Sequence, residues 1–375
     1  MKKILILYTS VGLGHKYIAL NIGYHLEQAG FEVRYEDILK DQSGPTVAIG
    51  EWFHSLVNRR FPFIWRWLYL SKTFTKLTLP LRVPLAGRNC ENVKQVIGEF
   101  HPDMVIATQT SASAPMAYLK RNGLYSGKFV IAFSDYHFHR YWQYDEADFY
   151  LVNIDEHRQE LEKLGVPANK IAVCGITLKP QVPTDKDAVK QKLNLTGKRV
   201  VLMASGSLGI GFPESLLLDY AAELAKQEPT AQLVVITGKN QAMKQHLEEA
   251  VKNRNLSNVT ILGFYEPMSD LLAITEVFLT KPGGLTVAEA LRDNIKMITT
   301  HFLPGGEELN YEYLTKRRLM FPIPRPLTAE NLAKISRVIM DGKSEVENPN
   351  SLEITQKNHE GAELIKSIQN LFHNV

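Results

Sequence analysis

The sequence predicts a two-domain α/β protein, and three observations carry that prediction. Short apolar runs recur along the chain, each followed by a stretch with apolar residues at helical spacing, the alternation that builds parallel sheets covered by helices. The chain has 375 residues, more than one core usually holds. Ile176 to Thr184, with two prolines and no periodicity, interrupts the alternation near its middle as an interdomain linker would.

Composition narrows the class. Apolar residues at 45% and charged residues at 22% describe a soluble globular chain, and a net charge of +3 is too small to imply a nucleic-acid partner. Cys90 and Cys174 give neither metal spacing nor a disulfide framework, which fits a reducing cytoplasm. Ile4 to Leu7 is too short for a signal peptide, and no run approaches the roughly 18 apolar residues of a membrane span. Any membrane contact is therefore expected from the surface.

In chain order, Lys3 to Tyr8 reads as a buried strand, Tyr17 to Ala29 as a helix and Glu32 to Asp37 as the next strand. The first turn of this βαβ unit is Ser10-Val11-Gly12-Leu13-Gly14-His15. It is not a dinucleotide fingerprint, because position 17 is Tyr where the third glycine belongs. His15 stands near a helix N-terminus, which disfavours the imidazolium and keeps the ring neutral, the state of a general base; a structural histidine fits the same position.

Residues 52–90 contain Trp52, Trp65, Trp67 and five other aromatic residues, together with Arg59, Arg60, Arg66, Lys72, Lys76, Arg82 and Arg88, and no Asp or Glu. Tryptophans among cationic stems suit the headgroup region of an anionic membrane. An excursion packed on its own domain is the alternative.

Strands and helices resume at Met104 to Thr108, Ala114 to Arg121 and Phe129 to Phe133, which ends in Ser134-Asp135-Tyr136-His137-Phe138-His139-Arg140-Tyr141-Trp142. Ligands of parallel sheets bind at the carboxyl ends of strands, where residues 10–15, 109–113 and 134–142 would meet. Asp135 and His139 could orient a ligand hydroxyl or hold a loop. Phe149 to Val152, Asp155 to Leu164 and Ile171 to Cys174 complete the half. Asp185-Lys186-Asp187 imitates a DxD metal site, but its place at the opening of a helix favours capping.

The second half repeats the pattern. Strand Arg199 to Ala204 leads into a glycine loop at 205–211, and Gln232 to Ile236 into Thr237-Gly238-Lys239-Asn240. Val259 to Leu262 precedes Gly263 to Met268, and Met297 to Thr300 precedes the loop 301–310. The most informative stretch is 280–291, TKPGGLTVAEAL, a strand end, a glycine turn and a helix start. Backbone N–H groups there suit phosphate oxygens, and Glu289, about one turn inside, suits a ribose diol; an ordinary αβ turn with a solvated Glu is the bland alternative. Residues 328–341 and 350–372 read as helical.

In this order, GLGH at 12–15, SDYHFHRYW at 134–142, TGKN at 237–240, KPGGLTVAEA and PGGEELN at 304–310 resemble, over nearly the whole chain, glycosyltransferase family 28. The likeness is greatest to its diacylglycerol β-glucosyltransferases and monogalactosyldiacylglycerol synthases. The resemblance implies a GT-B fold, two Rossmann-like domains facing a central cleft. Residues 1–176 would be the acceptor and membrane-facing domain, 177–184 the linker, 185–349 the nucleotide-sugar domain, and 350–375 a helix returning to the first.

It also implies roles. His15 would activate the acceptor. Gly14, Ser207, Gly238, Gly283, Gly284 and Thr286 would line the nucleotide diphosphate, Glu289 the ribose, and Phe264 and Met268 the uracil. Gly306, Glu307 and Asn310 would lie on the donor hexose. Gly306 stands where family members usually carry Gln, so the hexose is not fixed, and Glu308 is a candidate replacement. Asp135, His139 and Trp142 would belong to the acceptor loop, and Trp52, Arg59, Arg60, Trp65, Arg66, Trp67 and Lys72 to the membrane face. The implied reaction is inverting transfer from a UDP-sugar to diacylglycerol, at the cytoplasmic face of an anionic membrane, with no tightly bound cofactor. The diphosphate would be held by helix N-termini, with no metal required. Transfer to a polyprenyl-diphosphate sugar, a non-hydrolysing UDP-N-acetylglucosamine 2-epimerase and a non-catalytic UDP-sugar-binding module are the alternatives.

Overall fold

The structure, a computed structural model, describes residues 1–9, 13–39, 62–87, 90–204, 206, 212–343 and 361–373. It divides into two compact units. The first comprises Met1–Pro180, Leu303–Asn310 and Ile354–Val375, and the second Gln181–Phe302 and Tyr311–Glu353.

The first unit runs β1 (Lys3–Tyr8), α1 (Leu13–Gln28), β2 (Glu32–Asp37), α2 (Pro62–Leu70), α3 (Lys72–Ala86), α4 (Glu91–Phe100), β3 (Met104–Ala107), α5 (Thr110–Arg121), β4 (Lys128–Ala132), β5 (Phe149–Val152), α6 (Asp155–Lys163) and β6 (Ile171–Val173). Its strands form one parallel sheet in the order β2-β1-β3-β4-β5-β6. The central strands are continuous apolar runs because both faces are covered, whereas the edge strand β2 is polar and half-buried throughout. The order reverses between β1 and β3, so the turns after these two strands open the ligand crevice of the unit.

The second unit holds α7 (Lys186–Lys192), β7 (Arg199–Ala204), α8 (Glu214–Gln227), β8 (Ala231–Ile236), α9 (Gln241–Asn253), β9 (Val259–Leu262), α10 (Met268–Ile274), β10 (Thr275–Thr280), α11 (Gly284–Arg292) and β11 (Lys296–Thr299). Its parallel sheet has the order β11-β10-β7-β8-β9, with the reversal between β7 and β10. Helices α12 (Gly306–Lys316) and α13 (Ala329–Met340) follow. Helix α14 (Ala362–His373) counts with the first unit, where Phe372 stacks on Phe31 at 5.7 Å.

Several elements differ from the sequence expectation. Helix α1 begins at Leu13 rather than Tyr17, which puts His15 in its first turn. Residues 62–86, read only as an aromatic and basic excursion, form two helices, the second capped by Ser71, whose hydroxyl accepts from Phe74 N at 3.2 Å. Helices α4, α10 and α12 were not assigned. The sequence predicts a loop over PGGEELN, but Glu307 and Glu308 fall in the first turn of α12, where carboxylates favour the positive end of the helix dipole. Leu303–Asn310, counted with the second domain from sequence, groups with the first unit because Asn310 and Glu308 are bonded there. Asp185 caps α7, accepting from Asp187 N and Ala188 N at 3.1 and 3.0 Å.

Candidate functional site

At the β1/β3 reversal of the first unit, the start of α1 presents His15. Its Nδ1 is buried and has no hydrogen-bond partner among the described residues. Burial holds its pKa below the ordinary histidine value of 6.5, and the nearby Asp135 carboxylate works in the opposite direction. The ring is therefore neutral at neutral pH.

Asp135 follows β4. Burial alone would raise its pKa, but the His137 and His15 rings and hydrogen bonds from Asn310 and Ser134 outweigh it and hold the carboxyl below the usual range. Asn310 is completely buried, and both ends of its amide are hydrogen-bonded. Its Nδ2 donates to Asp135 Oδ1 at 2.9 Å, while its Oδ1 accepts from Tyr136 N at 2.9 Å and faces His137 Nδ1 at 2.8 Å. Asn153 Nδ2 donates to the Asp135 carbonyl at 2.7 Å. Asn310, expected on the donor hexose, is thus a strut of the Asp135 cluster in this structure.

The other acceptor-loop candidates separate. Both ring nitrogens of His139 are engaged, Nε2 with Tyr69 O at 2.9 Å and Nδ1 with Tyr141 N at 3.2 Å, and burial lowers its pKa. Trp142 is a core residue, 4% exposed, with its ring 4.7 Å from that of Phe133. It packs the loop rather than lining an acceptor path. Behind the cluster, His157 is fully buried, and neither ring nitrogen makes a hydrogen bond of normal geometry among the described residues; burial drives its pKa down to about 3, against the weaker pull of the Asp135 charge and the His137 backbone.

In the second unit, the turn after β10 leads directly into α11. Gly283 is the N-cap residue and has no side chain to cap the amides of the first turn. Thr286 is half-buried in that turn. Gly206, described after the adjacent strand β7, has φ +78°, and a β-carbon there would meet Lys281 Cε at 3.0 Å. Lys281 therefore reaches across the two strand ends. Glu289 lies just inside α11, and burial raises its carboxyl to about 7, against the opposing pull of Arg292. A carboxylate desolvated to this degree gains from any ligand that brings O–H donors. Gly238 (φ +62°) and Gly263 sit on neighbouring turns. Phe264 is 43% exposed with Lys239 Nζ 5.8 Å from its ring centroid, and Met268 opens α10. Ser207, Trp52, Arg59 and Arg60 lie outside the described residues.

Glu307 turns back to accept from Leu303 N at 2.8 Å. Glu308, the candidate replacement sugar contact, is instead held by Arg66, whose Nε lies 2.7 and 2.9 Å from its two oxygens. Gly306 also has a local reason: a side chain there would meet His137 Cε1 at 3.2 Å.

The membrane candidates divide likewise. Phe63 (67%), Trp67 (64%), Leu77 (70%), Leu81 (53%) and Leu85 (54%) are exposed on α2 and α3, with Lys72 and Lys76 among them. Trp65 turns inward, within reach of Gly305 and Tyr69. Arg66 is engaged by Glu308, and Arg82 donates to the carbonyls of Tyr141 and Gln143. Among the described residues no helix is long and apolar enough to cross a membrane, and no group of three or more His, Cys, Asp or Glu could hold a metal ion.

Sequence reasoning passed over Tyr69, His137, His157 and Lys281. His137 shares its aromatic context with His139, and what distinguishes it is Asn310, far away in sequence. Lys281 was read only as the end of a strand.

Two sequence families match the chain. Residues 37–178 match monogalactosyldiacylglycerol (MGDG) synthase, and residues 200–312 match the glycosyltransferase family 28 C-terminal domain. The processive diacylglycerol beta-glucosyltransferase of Bacillus pumilus is 28% identical over 328 residues, 83% of this chain and 80% of that protein. The UDP co-structure of MnaA from S. aureus superposes with a TM-score of 0.64 at 13% identity, covering 100% of this chain and 98% of that one. MurG of Acinetobacter baumannii gives 0.59 at 16% identity, covering 99% and 100%. These solved structures bear on the fold, which is of the GT-B class.

Proposed function

Since the chain carries a glycosyltransferase family 28 C-terminal domain behind a half that matches MGDG synthase, we propose that it transfers a hexose from a UDP-sugar to the hydroxyl of diacylglycerol, with inversion, at a membrane surface. One observation carries the acceptor side of this reading: His15, neutral and electrostatically coupled to Asp135, stands at the β1/β3 reversal of the unit whose residues 37–178 match MGDG synthase.

The chemistry follows from these groups. His15 takes the proton of the acceptor hydroxyl as that oxygen attacks the anomeric carbon. The bond from this carbon to the UDP oxygen breaks, and its electron pair leaves with the diphosphate. Asp135 stabilises the imidazolium that forms. In the second unit, Glu289 receives the ribose hydroxyls, Phe264 and Met268 border the base, and the amides of Gly283, Gly284 and the first turn of α11 receive the diphosphate together with Ser207 and Gly238. Use of Asp185 as a helix cap supports a diphosphate site that does not depend on a DxD metal. Glu307 and Gly306 remain the residues proposed nearest the hexose. The exposed aromatic and leucine faces of α2 and α3, with Lys72 and Lys76, support peripheral docking on an anionic leaflet, proposed to be the cytoplasmic one.

Transfer of labelled hexose from UDP-glucose, UDP-galactose or UDP-N-acetylglucosamine to diacylglycerol vesicles, with and without chelator, tests the reading. We expect a β-linked glycolipid from UDP-glucose or UDP-galactose, undiminished by chelator. Absence of transfer from all three donors overturns it.

A further inference from the structure

Helix α2 is fastened to the start of α12 and to the Asp135 loop at several points, and chemistry fixes the orientation of the Asn310 amide at their centre. Asp135, as a carboxylate, can only accept, so Asn310 turns its amide nitrogen toward it, at 2.9 Å. The Asn310 oxygen must then face two donors, Tyr136 N–H and His137 Nδ1, at 2.9 and 2.8 Å. With Nδ1 given to Asn310, the other ring nitrogen of His137, Nε2, is hydrogen-bonded to the Tyr69 hydroxyl at 2.9 Å.

Tyr69 lies on α2, two residues from the exposed Trp67. Its carbonyl accepts from His139 at 2.9 Å. Arg66, one turn earlier, holds Glu308. The glycines at 305 and 306 let the helix come this close. Gly305 has φ +95°, and a β-carbon there would stand 3.0 Å from Tyr69 Cγ and 3.4 Å from Trp65 Nε1.

We propose that α2 is a positioning clamp for acceptor activation. Tyr69, through His137 and Asn310, fixes the Asp135 carboxylate that stabilises the His15 imidazolium, and the Arg66–Glu308 pair holds the same end of α12 in register. The proposal rests on His15 being the base. It makes the lipid-facing helix and the catalytic cluster parts of one hydrogen-bonded assembly. Tyr69 is then a positioning residue that never touches substrate.

The test is Tyr69→Phe, which keeps the ring packed on Gly305 and His139 and removes only the hydroxyl. The expected result is a fall of about tenfold in kcat for transfer to diacylglycerol vesicles, the scale of one lost hydrogen bond in a charged network, with the KM for UDP-hexose and vesicle binding within about twofold of wild type. His137→Gln, a second variant with thermal unfolding as a folding check, should show the same kcat-only loss. Wild-type kcat in a folded Tyr69→Phe protein, or a loss confined to KM or vesicle binding, overturns the clamp while leaving the transferase reading intact. A wild-type protein without transfer removes both.

Discussion

Arg66 Nε lies 2.7 and 2.9 Å from the two carboxylate oxygens of Glu308. A residue that looks in sequence like one more membrane cation is therefore spent on a partly buried partner, and the aromatic and basic stretch separates into an inward and an outward set.

That separation predicts different phenotypes for neighbouring tryptophans. Trp67→Ser and Leu81→Ser should each lower partitioning onto anionic vesicles by about tenfold, the order expected from losing one inserted apolar side chain, and should leave thermal unfolding unchanged. Trp65→Ser should do the reverse, lowering the unfolding temperature while vesicle sedimentation is little affected. Equal behaviour of the two tryptophans would contradict the exposed face as the docking surface.

The base assignment makes a signed prediction for the pH profile. His15 must be neutral to accept a proton, and burial holds its pKa below 6.5, so kcat at saturating UDP-hexose should rise with pH along a limb whose midpoint lies below 6.5. Asp135 raises the His15 pKa; Asp135→Asn should therefore move the acid limb to lower pH while reducing kcat by about 10²-fold or more. His15→Ala should abolish transfer while UDP binding persists. A limb moving upward in Asp135→Asn would refute the electrostatic pairing.

For Glu289 the charged form is the one that accepts hydrogen bonds from a ribose diol. Its carboxyl titrates at about 7 without ligand, so the KM for UDP-hexose should fall as pH rises through 7. Glu289→Gln should remove that dependence and raise KM by about 10- to 100-fold, the equivalent of a hydrogen bond to a charged group. The UDP-sugar is the proper probe because, unlike UDP, it has no terminal phosphate titrating nearby.

His157 predicts a stability effect separate from catalysis. Its folded-state pKa is about 3, below the ordinary 6.5. Above pH 6.5 both states are neutral at this site and it contributes no slope. Between about 6.5 and 3 the unfolded chain takes up a proton that the folded one refuses, so stability falls by about 1.4 kcal/mol per pH unit as the solution is acidified. His157→Leu should remove that share of the slope in denaturant titrations across this window, and an unaltered slope would count against the buried neutral ring.

The two-sheet architecture was legible because it depends on local signals, apolar runs bounded by glycine turns. The turns that mattered most, after β1 and β10, fall at the reversals of strand order, which sequence spacing alone could not show. Side-chain roles were less legible. Trp142 and His139 have similar surroundings in sequence, yet one is core and the other a loop tie. Asn310 and Glu308 read as sugar contacts until Asp135, His137 and Arg66, all more than 170 positions away, appear as their partners. The helices of residues 62–86 were obscured by Pro80 and Pro84, which lie inside α3 and read in sequence as interruptions.

The first unit is assembled from three separate stretches of chain, the last of which contributes α14. Phe31 stacks on Phe372 of α14, and Gly361 makes close approach to His25 on α1. The packing of the first unit is therefore completed by a helix that follows the strands of the second unit in sequence, so the chain leaves the first unit, builds the second sheet and then returns. A cut between α13 and α14 would uncover apolar surface such as Phe31 on the first unit while leaving the strands of the second unit whole.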